Sequence, residues 1–183
     1  INVTDGAGAK SHMSALATAA IIAKNDMEPV LQFTTRDRNR IAIQGDLLGG
    51  WALDIPNILC LYGDEVKGGD QPETKEVRDL DTISLLKTAK DIKTDKAYPS
   101  GRKIVDAPEF FIGGADTPRE INNNFDGINL IKKINVGVEF FQTQYAFDEN
   151  ILRNYMLKLK QLGINEKAYF IIGLGIIKSA KSA

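Results

Sequence analysis

The chain has 183 residues, 43% hydrophobic and 26% charged, with 23 Lys plus Arg against 24 Asp plus Glu and a formal net charge of -1. That is ordinary globular composition with enough apolar content for one sizeable core, and the near-balance of charge gives no global reason to expect nucleic acid or an acidic membrane surface as partner. No apolar run reaches the roughly 18 to 20 residues of a membrane span and no charged-then-apolar leader precedes Ile1, while the lone Cys60 permits no intramolecular disulfide, so a soluble chain in reducing cytoplasm is expected.

In chain order, INVTD (1–5) reads as a first strand ending in Thr4 and Asp5, and 10–25 as a helix stopped by Asn25 and Asp26. VLQFTTRD (30–37) is a second strand, followed by a helix over 38–53 whose Ile41, Ile43, Leu47, Leu48 and Leu53 offer a buried face. PNILCLYGD (56–64) is a third strand that stops abruptly at Gly63-Asp64. After a polar loop at 64–78, Asp79 and Asp81 precede a helix over 82–92, where an acidic residue suits the N-cap. A second polar loop covers 94–107. EFFIGGAD (109–116) is the next strand, 119–136 a helix ended by Gly137, and VEFFQTQ (138–144) a strand. Asp148 and Gly163 bracket a helix over about 148–162 as N-cap and C′ residue, and AYFIIGLG (168–175) is the last strand.

Strands alternating with helices imply an α/β protein with a parallel sheet, and in a (β/α) barrel the reactive groups sit at the C-terminal rim of the strands. About six units are visible, against the eight of a closed barrel. The expectation is therefore a single (β/α)8 TIM-barrel domain over 1–183, incomplete and truncated at both ends, containing strands two to seven; a six-unit doubly wound sheet is the structural alternative.

The strand ends supply the candidate chemistry. Asp64 follows a buried strand and a glycine, and Gln144 follows Phe140, Phe141 and Thr143 with an amide that offers both donor and acceptor to a heterocycle edge. RDRNR (36–40) reads as a salt-bridged helix start or as part of a site. Asp126, Asn129 and Lys133 are expected about one turn apart on one helix face, either as a solvated outer face or as a set acting on a ribose hydroxyl and a diphosphate. GGAD (113–116) permits close backbone approach but matches no dinucleotide fingerprint. The only histidine, His12, is expected to face solvent near a helix start, and Cys60 to be a core residue. One His and one Cys leave little support for a Ser-His-Asp triad or a Cys/His zinc site, and no metal is expected; an organic cofactor would supply the missing chemistry.

Taken in order, VTDGAGA (3–9), QFTTRDRNR (32–40), LLGGWALDIPNILCLYGD (47–64), VRDLDTISLL (77–86), FFIGGADTP (110–118) and KKINVGVEFFQTQYAFD (132–148) resemble the methylenetetrahydrofolate reductase family, over nearly the whole chain. The resemblance implies a TIM barrel that binds FAD across its rim, accepts hydride from NADH or NADPH, and reduces methylenetetrahydrofolate to methyltetrahydrofolate. It implies that Asp64 tunes the electrostatics of hydride transfer near flavin and pterin, and that Gln144 holds the pterin and the nicotinamide amide, with Ser182 near a late rim glutamine. The implied flavin contacts are Thr4, Asp5, Ala7, Gln32 (where a histidine often stands), Tyr62 (where many members have arginine), Gly63, Asp64, Arg78, Asp79, Gly113, Asp126, Asn129, Lys132 and Lys133. RDRNR and the LLG segment are most similar to bacterial members, some fused to a methyltransferase module; a homo-oligomer, and such a module or a redox partner, are the implied associations.

Two departures follow. The family's general acid is a glutamate on the first barrel strand, which does not precede Ile1 here, and Glu109-Phe110-Phe111 is only superficially similar; the eighth strand is also absent. The polypeptide as given is therefore not expected to complete catalysis. A non-catalytic flavin-binding electron-transfer subunit and a flavin-free folate-binding methyltransferase barrel are the competing expectations, separated by flavin content and by the reductant the protein accepts.

Overall fold

The computed structural model describes residues 1–122 and 124–175. Among them, strands β1 (Asn2–Val3), β2 (Val30–Thr34), β3 (Asn57–Leu61), β4 (Phe111–Asp116), β5 (Phe140–Tyr145) and β6 (Tyr169–Gly173) alternate with helices α1 (Ala15–Lys24), α2 (Arg40–Ala52), α3 (Thr82–Lys90), α4 (Ile128–Asn135) and α5 (Glu149–Gln161). β1 and β2, β2 and β3, and β5 and β6 pair in parallel, so the α/β expectation holds. Two compact units divide the chain, Ile1–Gly113 and Gly114–Ala183.

In the first unit, the five ladder pairs from Val30 with Asn57 to Thr34 with Leu61 bring the ends of β2 and β3 level. Leu31, Phe33, Ile58, Leu59 and Cys60 are buried together with Ile43 and Leu47 of α2 and Leu85 and Leu86 of α3. Such near-continuous apolar strands are what a parallel sheet covered by helices requires. Trp51 meets Phe110 edge to face at 5.9 Å, and burial pushes the Cys60 thiol up to about 12, which leaves it an inert core residue. In the second unit, Phe141 stacks on Phe170 at 5.2 Å across β5 and β6. Leu130 of α4 and Tyr155 and Leu159 of α5 are buried. The β5–β6 register shifts between Gln142 and Tyr145, where a Cβ on Gly173 would lie 2.6 Å from the Thr143 carbonyl oxygen, so that close approach requires glycine.

Helix starts follow local chemistry. Asn39, Asp81 and Asp148 each accept backbone N–H groups of the first turn, which satisfies donors that a helix N-terminus leaves open. Two helices start five or more residues later than their sequence expectation. The first begins at Ala15 rather than residue 10, because Gly6 and Gly8 adopt left-handed φ around a short 3-10 turn and Ser14 supplies the cap. The fourth begins at Ile128 rather than 119, after Gly127 at φ 68°, a conformation that cannot continue a right-handed helix. Asp126 therefore lies before the helix and not on its face: its Oδ1 accepts the Ile128 N–H at 3.0 Å. α3 ends in a wider π turn over Asp91–Asp95, and Lys96 at φ 49° stops it.

Candidate functional site

In the first unit the ends of β1, β2 and β3 lead into loops held by charged side chains. Asp5, just past β1, accepts the Thr34 N–H at 2.9 Å and the Thr34 hydroxyl at 3.0 Å. It also pairs with Arg38, whose Nη1 reaches Asp46 of α2 at 3.0 Å. Arg36 is buried and binds Asp37 through Nε and Nη2 at 2.8 and 2.7 Å. Arg40 makes three bonds to Asp79, from its backbone N–H, Nε and Nη2, and this pairing holds the Asp79 carboxyl down at about 2. RDRNR is thus the salt-bridged helix start that the sequence offered as one reading, and Asp79, placed as a possible cap, is instead Arg40's partner while Asp81 caps α3.

Asp64 stands one residue beyond Gly63, whose φ of 88° sets the turn. A Cβ there would approach Thr34 Cβ at 3.0 Å and Arg36 Cβ at 3.2 Å, so the turn presses its backbone against β2's end. The Asp64 Oδ2 accepts the Gly8 N–H at 2.7 Å, and the side chain is otherwise exposed. Arg78, itself at φ 39°, donates to the Tyr62 carbonyl at 2.8 Å and to the Gly63 and Asp64 carbonyls at 3.4 Å. Its guanidinium carbon lies 3.8 Å above the Tyr62 ring, a cation–π contact. Glu76 pairs with Arg78, which with the Val66 N–H keeps the Glu76 carboxyl at about 2.

Thr4, Asp5, Ala7, Tyr62, Gly63, Asp64, Arg78 and Asp79 therefore share one cluster of strand-end loops. Gln32 sits inside β2, 8% exposed. His12 is exposed in the segment before α1, with Nε2 3.2 Å from the Ala7 carbonyl.

In the second unit, the end of β4 and the start of α4 enclose a cavity of about 290 Å³ lined by Asp116, Arg119, Asp126, Asn129 and Lys133 among others. The Lys133 Nζ donates to the Ala115 carbonyl at 2.6 Å, and burial lowers its pKa. Asp116, 9% exposed, receives the Tyr155 hydroxyl on both carboxylate oxygens at 3.0 and 2.9 Å. Lys132 is exposed and is not among the lining residues. Asp126, Asn129 and Lys133 do converge, around a cavity instead of along one helix face. Two cations, two carboxylates and an amide form a donor set that suits a sugar bearing phosphate, and the half-buried ammonium gives that fit a physical basis. Gln144 is exposed near the end of β5, beside Thr143, whose hydroxyl accepts the Gly173 N–H at 2.8 Å. Gly113 is buried in β4, and Ser182 lies outside the described residues.

Sequence reasoning missed Gly8, Asp116, Arg119 and Tyr155 as site residues. Gly8 and Tyr155 act on partners 56 and 39 residues away, and no local pattern marks them. Asp116, at the end of an apolar strand, carried the same signal as Asp64.

A family model described as methylenetetrahydrofolate reductase matches residues 1–183, the whole chain. No curated protein matches the chain.

Proposed function

The chain belongs to the methylenetetrahydrofolate reductase family, and from that premise we propose that it carries the flavin-dependent reduction of 5,10-methylenetetrahydrofolate to 5-methyltetrahydrofolate, with NADH or NADPH as hydride donor. The observation that carries the reading is Asp64. One carboxylate oxygen is anchored on a backbone N–H while the side chain stays exposed beyond a glycine turn at positive φ, a preorganised negative group at a strand end. FAD, when bound, supplies hydride transfer between the nicotinamide and the folate. Asp126 and Asn129 would hold its ribose hydroxyls, Lys133 and the exposed Lys132 its diphosphate, and Gln32, Tyr62, Gly63, Thr4, Asp5, Ala7, Arg78, Asp79 and Gly113 the rest of the flavin. Gln144 offers its amide to the pterin edge and, in the other half-reaction, to the nicotinamide carboxamide, and Ser182 is assigned to the folate.

In this reading the protein's share is binding, orientation and fixed charge, with no covalent nucleophile. A single TIM-barrel domain, a cytoplasmic location, self-association, and a methyltransferase module or redox partner, fused or associated, belong to the same proposal. The test is the visible absorption spectrum of the full-length protein before and after anaerobic addition of methyltetrahydrofolate. An oxidised-flavin spectrum that bleaches is expected. A flavin spectrum that persists would assign the chain to electron transfer, and no flavin after reconstitution with FAD would overturn the reading. In the same protein, Asp64→Asn should slow folate-dependent bleaching by at least tenfold.

A further inference from the structure

We propose that Arg36 is a positioning residue for Asp64, joining through one guanidinium nitrogen the two loops that place its carboxylate. This rests on the role of Asp64 given above. The Arg36 Nη1 donates to the Gly6 carbonyl at 3.1 Å and to the Asp64 carbonyl at 3.4 Å. The first bond holds the loop that supplies the Gly8 N–H, and the Gly8 N–H in turn binds the Asp64 Oδ2 at 2.7 Å. The second holds the backbone of Asp64 itself. Donor and acceptor of the carboxylate's own hydrogen bond are therefore fixed to the same nitrogen, although they stand 56 residues apart in the chain.

The remaining bonds of Arg36 explain why it organises the loops rather than binding a ligand. Nε and Nη2 are spent on Asp37, and the side chain is 5% exposed. Asp37 sets the guanidinium plane and balances its charge, so that the arginine can be buried beside the turn. The packing is close: a Cβ on Gly6 would fall 2.3 Å from the Arg36 Nη2, and one on Gly63 3.2 Å from its Cβ. The Arg36 carbonyl accepts the Val77 N–H at 2.7 Å, which ties in the loop that carries Arg78. Arg78 also supports the Asp64 carbonyl, but its hydrogen bonds go to Glu76 and to residues 62–64. Among the described residues Arg36 is the arginine that spans both loops. Lysine cannot replace it, because one ammonium does not serve a bidentate carboxylate and two carbonyls at once.

A double-mutant cycle in the full-length, flavin-loaded protein tests this, read as the rate of folate-dependent flavin bleaching. Arg36→Ala should slow the reaction ten- to a hundredfold, the scale at which a displacement of about 1 Å costs rate. On an Asp64→Asn background the same change should alter the rate by less than about twofold, because the carboxylate it places is gone. Equal losses on both backgrounds would overturn the positioning role, since a merely structural arginine slows both alike. Arg36→Lys, which keeps the charge and one carbonyl bond, repeats the cycle if the alanine variant does not fold; a smaller loss is expected, again confined to the Asp64 background. If Asp64→Asn alone leaves the rate unchanged, the functional reading fails and not only this inference.

Discussion

The loops beyond β1 to β3 and the cavity beside β4 and α4 solve opposite problems. In the first region charge is spent internally: Arg36 on Asp37, Arg38 on Asp5 and Asp46, Arg40 on Asp79 and Arg78 on Glu76. What it presents outward is a fixed carboxylate on a tight glycine turn. In the second region the charged groups are fewer and less fully committed, with a half-buried lysine bonded to a backbone carbonyl and a buried aspartate bonded to a tyrosine. Saturating a loop cluster with ion pairs fixes geometry, whereas leaving charges partly unpaired in a cavity stores binding capacity at a cost in stability.

The largest expected effect challenges the rigidity of the first region. Gly63→Ala places a side chain at φ 88° against Thr34 and Arg36 and should cost roughly 3 kcal/mol, measured by chemical denaturation. A cost near zero would mean that the turn is free to shift. Next, Tyr155→Phe in the second region removes the hydroxyl that serves both oxygens of a buried carboxylate. It should cost about 2 kcal/mol.

Lys133→Met should sharpen the contrast by separating stability from binding. Burial lowers the lysine's pKa in the folded state, so its protonated form opposes folding at neutral pH, and that penalty is relieved only as pH rises through the folded value toward the ordinary lysine range. Methionine should therefore leave the melting temperature unchanged or higher while weakening FAD retention roughly tenfold, read by flavin titration. A fall in melting temperature with unaltered flavin affinity would make Lys133 structural.

The Arg40–Asp79 pair gives a smaller, pH-dependent effect. The Asp79 carboxyl is held at about 2 by Arg40, below its unfolded value, so its contribution is fully present above about pH 4 and is lost as pH falls toward 2. Asp79→Asn should flatten that part of the stability–pH curve and lower stability by a constant amount at every pH above about 4, leaving the shape of the alkaline side unchanged. Smallest of all, breaking the exposed Glu149–Arg153 pair on α5 should change stability by less than about 0.5 kcal/mol.

Reading the chain alone recovered the alternation of strands and helices, the caps at Asp81 and Asp148, the left-handed stop at Gly163, and the strand-end positions of Asp64 and Gln144. These depend on interactions within a few residues, where apolar period, cap chemistry and glycine's freedom act directly. The tertiary structure decided the rest. That Asp5 meets Thr34 and Arg38, that Gly8 serves Asp64, and that Tyr155 reaches Asp116 follows from how elements dozens of residues apart are brought together. The same holds for the convergence of Asp126, Asn129 and Lys133 on a cavity once Gly127 had taken the left-handed turn. Local pattern names a residue's element and its place along it; which partner it meets depends on long-range packing, and the charge network is drawn there.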